Sequence, residues 1–236
     1  MKSPNIISSG ARKKVLPSTT RQVLIFLGRS GSGKGTQLAL LKKKLSLVEI
    51  DTGGLLRRFI KQKSYLARKT AAVMDKGDLV PFWLVVNLWL KKFLNIPISK
   101  GVIFEGSPRG LEEAKILDEA LNWLGRKNIR VIYLNVSEKE VIRRLSLRRI
   151  CFRCGREYSL EFSPGLKKCP LCGDKLIRRA DDYPKAIKNR MLYFKRDIIP
   201  VIDYFRKKKM ILEVKGLGTV KEVHQRIMKC LKVKPR

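Results

Sequence analysis

Val23-Leu24-Ile25-Phe26-Leu27 runs straight into Gly28-Arg29-Ser30-Gly31-Ser32-Gly33-Lys34-Gly35-Thr36, and an apolar-periodic stretch carrying Leu38, Leu41 and Leu45 follows. An apolar strand, a glycine loop and a helix in that order make a cradle for phosphate. Glycines let the backbone curl until successive N–H groups point inward, and the helix N-terminus adds partial positive charge. Gly31, Ser32, Gly33 and Gly35 supply that backbone, Lys34 a mobile ammonium for the outer phosphates, and Thr36 a hydroxyl near an expected metal. The usual signature has Ser or Thr directly after the lysine; here Gly35 intervenes. A surface turn is the bland alternative, and the flanking strand and helix argue against it.

Working outward, the pattern alternates. Apolar β-rich runs fall at Val23–Leu27, Leu47–Ile50, Val102–Phe104, Arg130–Val136 and Met210–Val214. Helical periodicity predicts Lys34–Leu45, Leu55–Gln62, Tyr65–Lys76, Phe82–Leu94, Leu111–Leu124, Glu138–Arg149, Pro184–Arg206 and Thr219–Leu231. Strands alternating with helices predict an α/β fold with a parallel sheet covered on both faces. Ligands in such sheets sit beyond the carboxyl ends of the strands. The glycine loop and Glu105-Gly106-Ser107-Pro108-Arg109 both lie at such ends.

The 236 residues suit one α/β domain with insertions, and 44% hydrophobic content supplies a core. No apolar stretch approaches the roughly 18 residues of a spanning helix, so a soluble, cytoplasmic chain with no membrane partner is expected. The net charge of +33 is extreme. It admits a nucleic-acid or membrane-surface partner, a polyanionic small-molecule substrate, or simply a solvated lysine-rich surface. Residues 1–21 hold Lys2, Arg12, Lys13, Lys14 and Arg21 and no acid. A disordered basic extension is the preferred reading there, and organelle import the minor one.

Cys151, Cys154, Cys169 and Cys172 break the rhythm as two Cys-x2-Cys pairs. Two such knuckles suit a tetrahedral four-thiolate zinc site, structural because no ligand position stays open. Disulfides are the competing reading, disfavoured in a reducing compartment. Cys230 is expected to be a small buried apolar residue. His224, the single histidine, is expected at a core edge or in solvent, and its solitude argues against a Ser-His-Asp or Cys-His mechanism.

Taken in order, the Gly-Lys-Gly-Thr loop, Asp51-Thr52-Gly53-Gly54-Leu55-Leu56-Arg57, Met74-Asp75-Lys76-Gly77-Asp78-Leu79-Val80-Pro81, Glu105–Arg109, Arg143–Arg149, the four-cysteine segment, Arg179-Ala180-Asp181-Asp182 and Asn189-Arg190 resemble the adenylate kinase family of nucleoside monophosphate kinases, in its form with a zinc-bearing lid. The resemblance runs from about Gln22 to Lys232. It implies a P-loop NTPase-type three-layer fold with a five-stranded parallel sheet over residues 22–236, a mobile NMP-binding helical arm at 52–81 and a small zinc lid at 149–180. It implies reversible phosphoryl transfer from Mg·ATP to a nucleoside monophosphate, usually by a monomer.

Residue by residue, the resemblance implies that Gly31–Thr36, Arg144, Arg148, Tyr158 and Gly218 hold ATP. It places Thr52, Arg57, Asp78, Leu79, Val80, Gly106, Ser107, Pro108, Arg109, Glu113, Arg179 and Arg190 around the monophosphate. Lys34, Arg109, Arg144, Arg179 and Arg190 would serve catalysis, with Thr36 and Glu105 near magnesium. Phosphoryl transfer asks for in-line positioning and positive charge on the moving group, and the planar fork of arginine grips phosphate with two bonds. Asp181 and Asp182 would pair with lid arginines near the hinge, or cap the helix that starts at Pro184.

Four positions depart from the family pattern: Glu105 for aspartate, Ser107 for an aromatic, Gly54 for aspartate, and Glu113 for the glutamine that reads adenine. An ionised glutamate only accepts hydrogen bonds. Glu113 therefore suits GMP, or reads adenine or cytosine through the amino group alone, or is a solvated helix residue while the backbone reads the base; GMP and CMP/UMP stay open as alternative acceptors. AMP is the favoured acceptor. The reading from another class is a basic zinc-ribbon P-loop protein that binds RNA, with weak or no kinase activity.

Overall fold

The computed structural model describes residues 21–179 and 182–232. The basic extension up to residue 20 and Asp181 lie outside the described residues. Five parallel strands form the central sheet: β1 (Val23–Leu27), β2 (Val48–Asp51), β3 (Val102–Glu105), β4 (Ile129–Asn135) and β8 (Ile211–Lys215), in the order β2-β3-β1-β4-β8. β1 sits at the centre, paired with β3 and β4, and all five of its residues are buried. Buried parallel strands read as unbroken apolar runs because helices cover both faces, which is why Val23–Leu27 has no polar alternation.

Successive side chains of β1 go to opposite layers. Val23, Ile25 and Leu27 pack with α4 (Phe82–Leu94), α5 (Leu111–Trp123) and α8 (Ile199–Lys207). Leu24 and Phe26 pack with Leu38 and Leu41 of α1 (Lys34–Leu45) and with Val223, Ile227 and Met228 of α9 (Val220–Cys230). The result is three layers, helices over sheet over helices. Trp89, Phe93 and Phe104 form an edge-to-face cluster, with Trp89 and Phe104 centroids 5.8 Å apart, an arrangement worth about 0.5–1.5 kcal/mol per pair beyond area burial.

Between β2 and α4 the chain makes an arm, α2 (Thr52–Phe59) and α3 (Tyr65–Asp75). After α6 (Glu138–Leu147) it leaves the core as a three-stranded antiparallel lid sheet, ordered β6 (Glu157–Ser159), β5 (Arg148–Cys151), β7 (Leu176–Ile177). It returns through α7 (Pro184–Tyr193), a π-helical turn (Phe194–Ile198) and α8.

The structure corrects four sequence expectations. The first arm helix begins at Thr52, not Leu55, because the Asp51 carboxylate caps it by accepting from the Gly54 N–H at 2.9 Å. α6 ends at Leu147, since Arg148 and Arg149 already belong to the lid strand. The helix expected over Pro184–Arg206 is interrupted by the π turn, and Tyr183 rather than an aspartate is its N-cap. Cys230 is exposed, not buried.

Candidate active site

The glycine loop bridges β1 and α1. Gly33 caps the helix at φ 94°, a left-handed conformation that favours glycine. Gly31 sits so close to α6 that an added Cβ would lie 2.9 Å from Leu145 Cγ. The Lys34 ammonium donates to the carbonyl oxygens of Gly28 and Arg29 at 2.8 Å each. Burial lowers its pKa to about 8, against a raising influence from Glu105. A bound polyphosphate offers stronger, charged acceptors than these two carbonyls.

Glu105 ends β3 beside the loop. A Cβ at Gly35 would meet Glu105 Oε1 at 3.2 Å, so the glycine between Lys34 and Thr36 lets this carboxylate stand against the start of α1. Burial raises the Glu105 pKa, and the nearby Lys34 opposes that. Thr36 is exposed at the loop mouth.

A cleft of about 400 Å³ opens from this loop toward the arm. It is lined by Lys34, by Thr52, Gly53 and Arg57 of the arm, by Asp78, Leu79 and Val80, and by Gly106, Pro108, Arg109 and Glu113. Arg179 from the lid and Arg190 from α7 complete the wall. Burial pulls the Arg190 pKa down to about 9, helped by Arg148, Arg179 and Arg109. Burial likewise lowers that of Arg109. Cations forced this close in a partly dry cleft favour a polyanion between them.

The remaining sequence-predicted residues stand beside the cleft. Arg144 donates to Glu140 Oε1 at 2.7 Å and to the Gly216 carbonyl at 3.1 Å, with a longer contact of 3.4 Å to Ser32 O, so it ties the phosphate loop to the loop after β8. That second loop holds Gly218, where a Cβ would collide with Glu222 Oε2 at 2.3 Å. Arg148 grips the fully buried Asp182 through Nε at 2.7 Å and Nη2 at 2.6 Å, and Arg190 reaches the same carboxylate at 3.3 Å. The pairing reading for Asp182 therefore replaces the capping one. The Tyr158 hydroxyl points at Cys169 Sγ, 3.1 Å away, and Tyr158 is not among the residues lining the cleft.

Three departures from the family pattern have local reasons. Asp51 Oδ2 occupies the space that a side chain at Gly54 would need, 2.2 Å from its Cβ. The buried Ser107 hydroxyl accepts from Thr52 Oγ1 at 2.7 Å, fastening the arm to the loop after β3. Glu113 is buried, which overturns the solvated reading. Its Oε1 accepts from the Trp89 indole N–H at 3.0 Å and its Oε2 from the Arg109 backbone N–H at 2.7 Å. Burial raises its pKa, and the Ser107 hydroxyl, together with those two donors, opposes the rise.

Sequence reasoning missed part of the wall. Phe82, Val85, Tyr193, Phe194, Arg196 and Asp197 also line the cleft. Tyr193 donates to Asp78 Oδ1 at 2.6 Å, and Arg29 stacks over Phe194, 4.2 Å from the ring centroid. Their only sequence signal was helical periodicity, which does not mark a cleft.

In the lid, the sulfur atoms of Cys151, Cys154, Cys169 and Cys172 all lie within 4.8 Å of one another. Four soft donors at that spacing, with a tyrosine hydroxyl oriented on one of them, fit a tetrahedral thiophilic cation.

A glycine phosphate loop at the carboxyl edge of a parallel sheet, faced by arginines from core and lid, defines a phosphoryl-transfer enzyme. The family model described as adenylate kinase matches residues 26–210. An adenylate kinase of Methanocella arvoryzae is 39% identical over 84% of this chain and 93% of its own length. Those of Archaeoglobus fulgidus and Lachnospira eligens are each 37% identical, over 86% and 88% of this chain and 95% and 99% of theirs. The chain belongs to the adenylate kinase family and is a phosphotransferase acting on nucleoside monophosphates.

Proposed function

We propose that this chain transfers the γ-phosphoryl group of Mg·ATP to AMP, reversibly, giving two molecules of ADP. The observation that carries the proposal is the convergence of Lys34, Arg109, Arg179 and Arg190 on one cleft. ATP binds along Gly31–Thr36 with Arg144, Arg148, Tyr158 and Gly218 supporting that side. The monophosphate enters between the arm and the loop after β3, its phosphate held by Arg57 and Arg109. Arg179 and Arg190 face the transferring group.

These cations stabilise charge spread over the moving phosphoryl oxygens, and their fixed positions align donor and acceptor in line. Magnesium, bound with ATP near Thr36 and Glu105, supplies further neutralisation of phosphate charge. Closure of lid 149–180 and arm 52–81 would exclude water, which otherwise competes as acceptor. The four cysteines bind zinc in this reading, making the lid a rigid body that hinges at its ends.

AMP is favoured by the relatives, whose names give them as adenylate kinases. Glu113 is compatible with it. Its carboxylate is met by the Trp89 indole, the Arg109 backbone N–H and the Ser107 hydroxyl, and a carboxylate's four acceptor sites leave capacity for a base amino group. Turnover of ATP against a panel of AMP, GMP, CMP and UMP tests the proposal, with AMP expected fastest. Background rates for every acceptor would end the kinase reading, and a faster GMP or CMP would reassign the base.

A further inference from the structure

The lid has a face that the phosphoryl-transfer cleft does not use. Phe152, inside the first cysteine knuckle, is 64% exposed. Lys175 lies over its ring, 5.0 Å from the centroid, and the Phe152 N–H donates to the Lys175 carbonyl at 3.1 Å. Lys168 pairs with Lys175 across an antiparallel bridge, so their side chains share a face. Arg153 follows Phe152 in the same exposed knuckle.

The lid's carboxylates leave this cluster positive. Glu157 is drawn to Arg148 and Arg179, and Glu161 to Arg143. Asp174 accepts from the Lys175 backbone N–H. Among the described residues Arg153, Lys168 and Lys175 take part in no ion pair. A solvent-facing aromatic ring under Lys175, with Arg153 next in the chain and Lys168 across the bridge, on a chain of net charge +33, is complementary to a flexible polyanion whose units carry π faces.

We infer that the outer face of the lid, Phe152 with Arg153, Lys168 and Lys175, is a binding site for single-stranded nucleic acid that operates alongside the kinase activity. A base stacks on Phe152 while the three cations neutralise adjacent phosphates. Duplex is disfavoured because its bases are already stacked, and a lipid surface gives the ring no stacking partner.

The test uses the full zinc-loaded chain, with ATP analogue and AMP saturating so that the cleft is filled. Fluorescence anisotropy follows labelled oligouridylate, oligodeoxythymidylate of the same length, a DNA duplex, and phosphatidylserine-containing vesicles. Both single strands should bind, duplex and vesicles more weakly. Phe152→Ala should weaken single-strand binding about fivefold to a hundredfold. Lys175→Glu, which leaves the knuckle intact should the alanine variant lose zinc, should lower the slope of log affinity against log salt by roughly one or more. Kinase turnover should be unchanged in both. Single-strand binding equal to wild type in both variants, no binding at low salt, or a preference for vesicles or duplex would each overturn the inference.

Discussion

Lys34 shows how burial sets a working range. Its ammonium titrates near pH 8 in the ligand-free chain, because desolvation outweighs Glu105. Since kcat/KM reports the free enzyme, kcat/KM for ATP should fall about tenfold per unit above pH 8. The kcat limb should lie higher, where bound phosphates restore the ammonium. A flat kcat/KM across that range in a pH-rate series would contradict the assignment. The stability sign is opposite. The ordinary value is 10.5, so the unfolded chain binds the extra proton between pH 8 and 10.5, and this group makes stability rise with pH there. Lys34→Ala should lower kcat by about 10²- to 10³-fold, the scale of losing one charge-stabilising donor, with melting unchanged or slightly raised, since a desolvated cation is gone. Calorimetry beside the kinetics checks both halves. Glu113→Gln turns an amide N–H₂ toward either the Trp89 or the Arg109 donor. It should cost about 1–3 kcal/mol of stability and raise KM for the monophosphate while KM for ATP stays put. An unchanged acceptor profile and KM would remove Glu113 from the monophosphate site.

At the scale of elements, legibility followed local chemistry. Lys34–Leu45 and Phe82–Leu94 were read to the residue, since a glycine loop opens one and Pro81 the other. The end of α6 was misplaced because Arg148 and Arg149 continue helical composition while pairing as a strand. The π turn was invisible because one inserted residue shifts a helix without changing its apolar content. Asp182 had two readings in sequence, and only tertiary packing shows its carboxylate buried between Arg148 and Arg190. Asp182→Asn should therefore destabilise by about 3–5 kcal/mol, as breaking a buried pair does, measured by urea unfolding. An effect under about 1 kcal/mol would mean the two guanidiniums find other partners. The lid buries little apolar surface, and its four cysteine sulfurs lie within 4.8 Å of one another. If those sulfurs hold zinc, as proposed, stripping it with a strong chelator should lower the melting temperature and expose the lid to protease before the core, and an unchanged melt of the metal-free chain would contradict that role.

The whole molecule combines a cleft that gathers cations with a surface that carries +33. Like charges at the surface repel through solvent, and salt screens them over about 10 Å at 0.1 M. Added salt should therefore raise the melting temperature of the free chain. A mimic that joins two adenosines through a chain of phosphates would engage Lys34, Arg109 and Arg190 together. At a thousand times its Kd it should stabilise the fold by about 4.1 kcal/mol, through binding to the native state alone. Salt weakens that attraction, so the ligand-induced shift should shrink over the same range in which the free chain gains stability. Thermal melts at about 50 and 200 mM sodium chloride, with and without the mimic, separate the two effects. Parallel salt responses would mean that surface repulsion, and not the converging cations of the cleft, dominates the electrostatics of the complex.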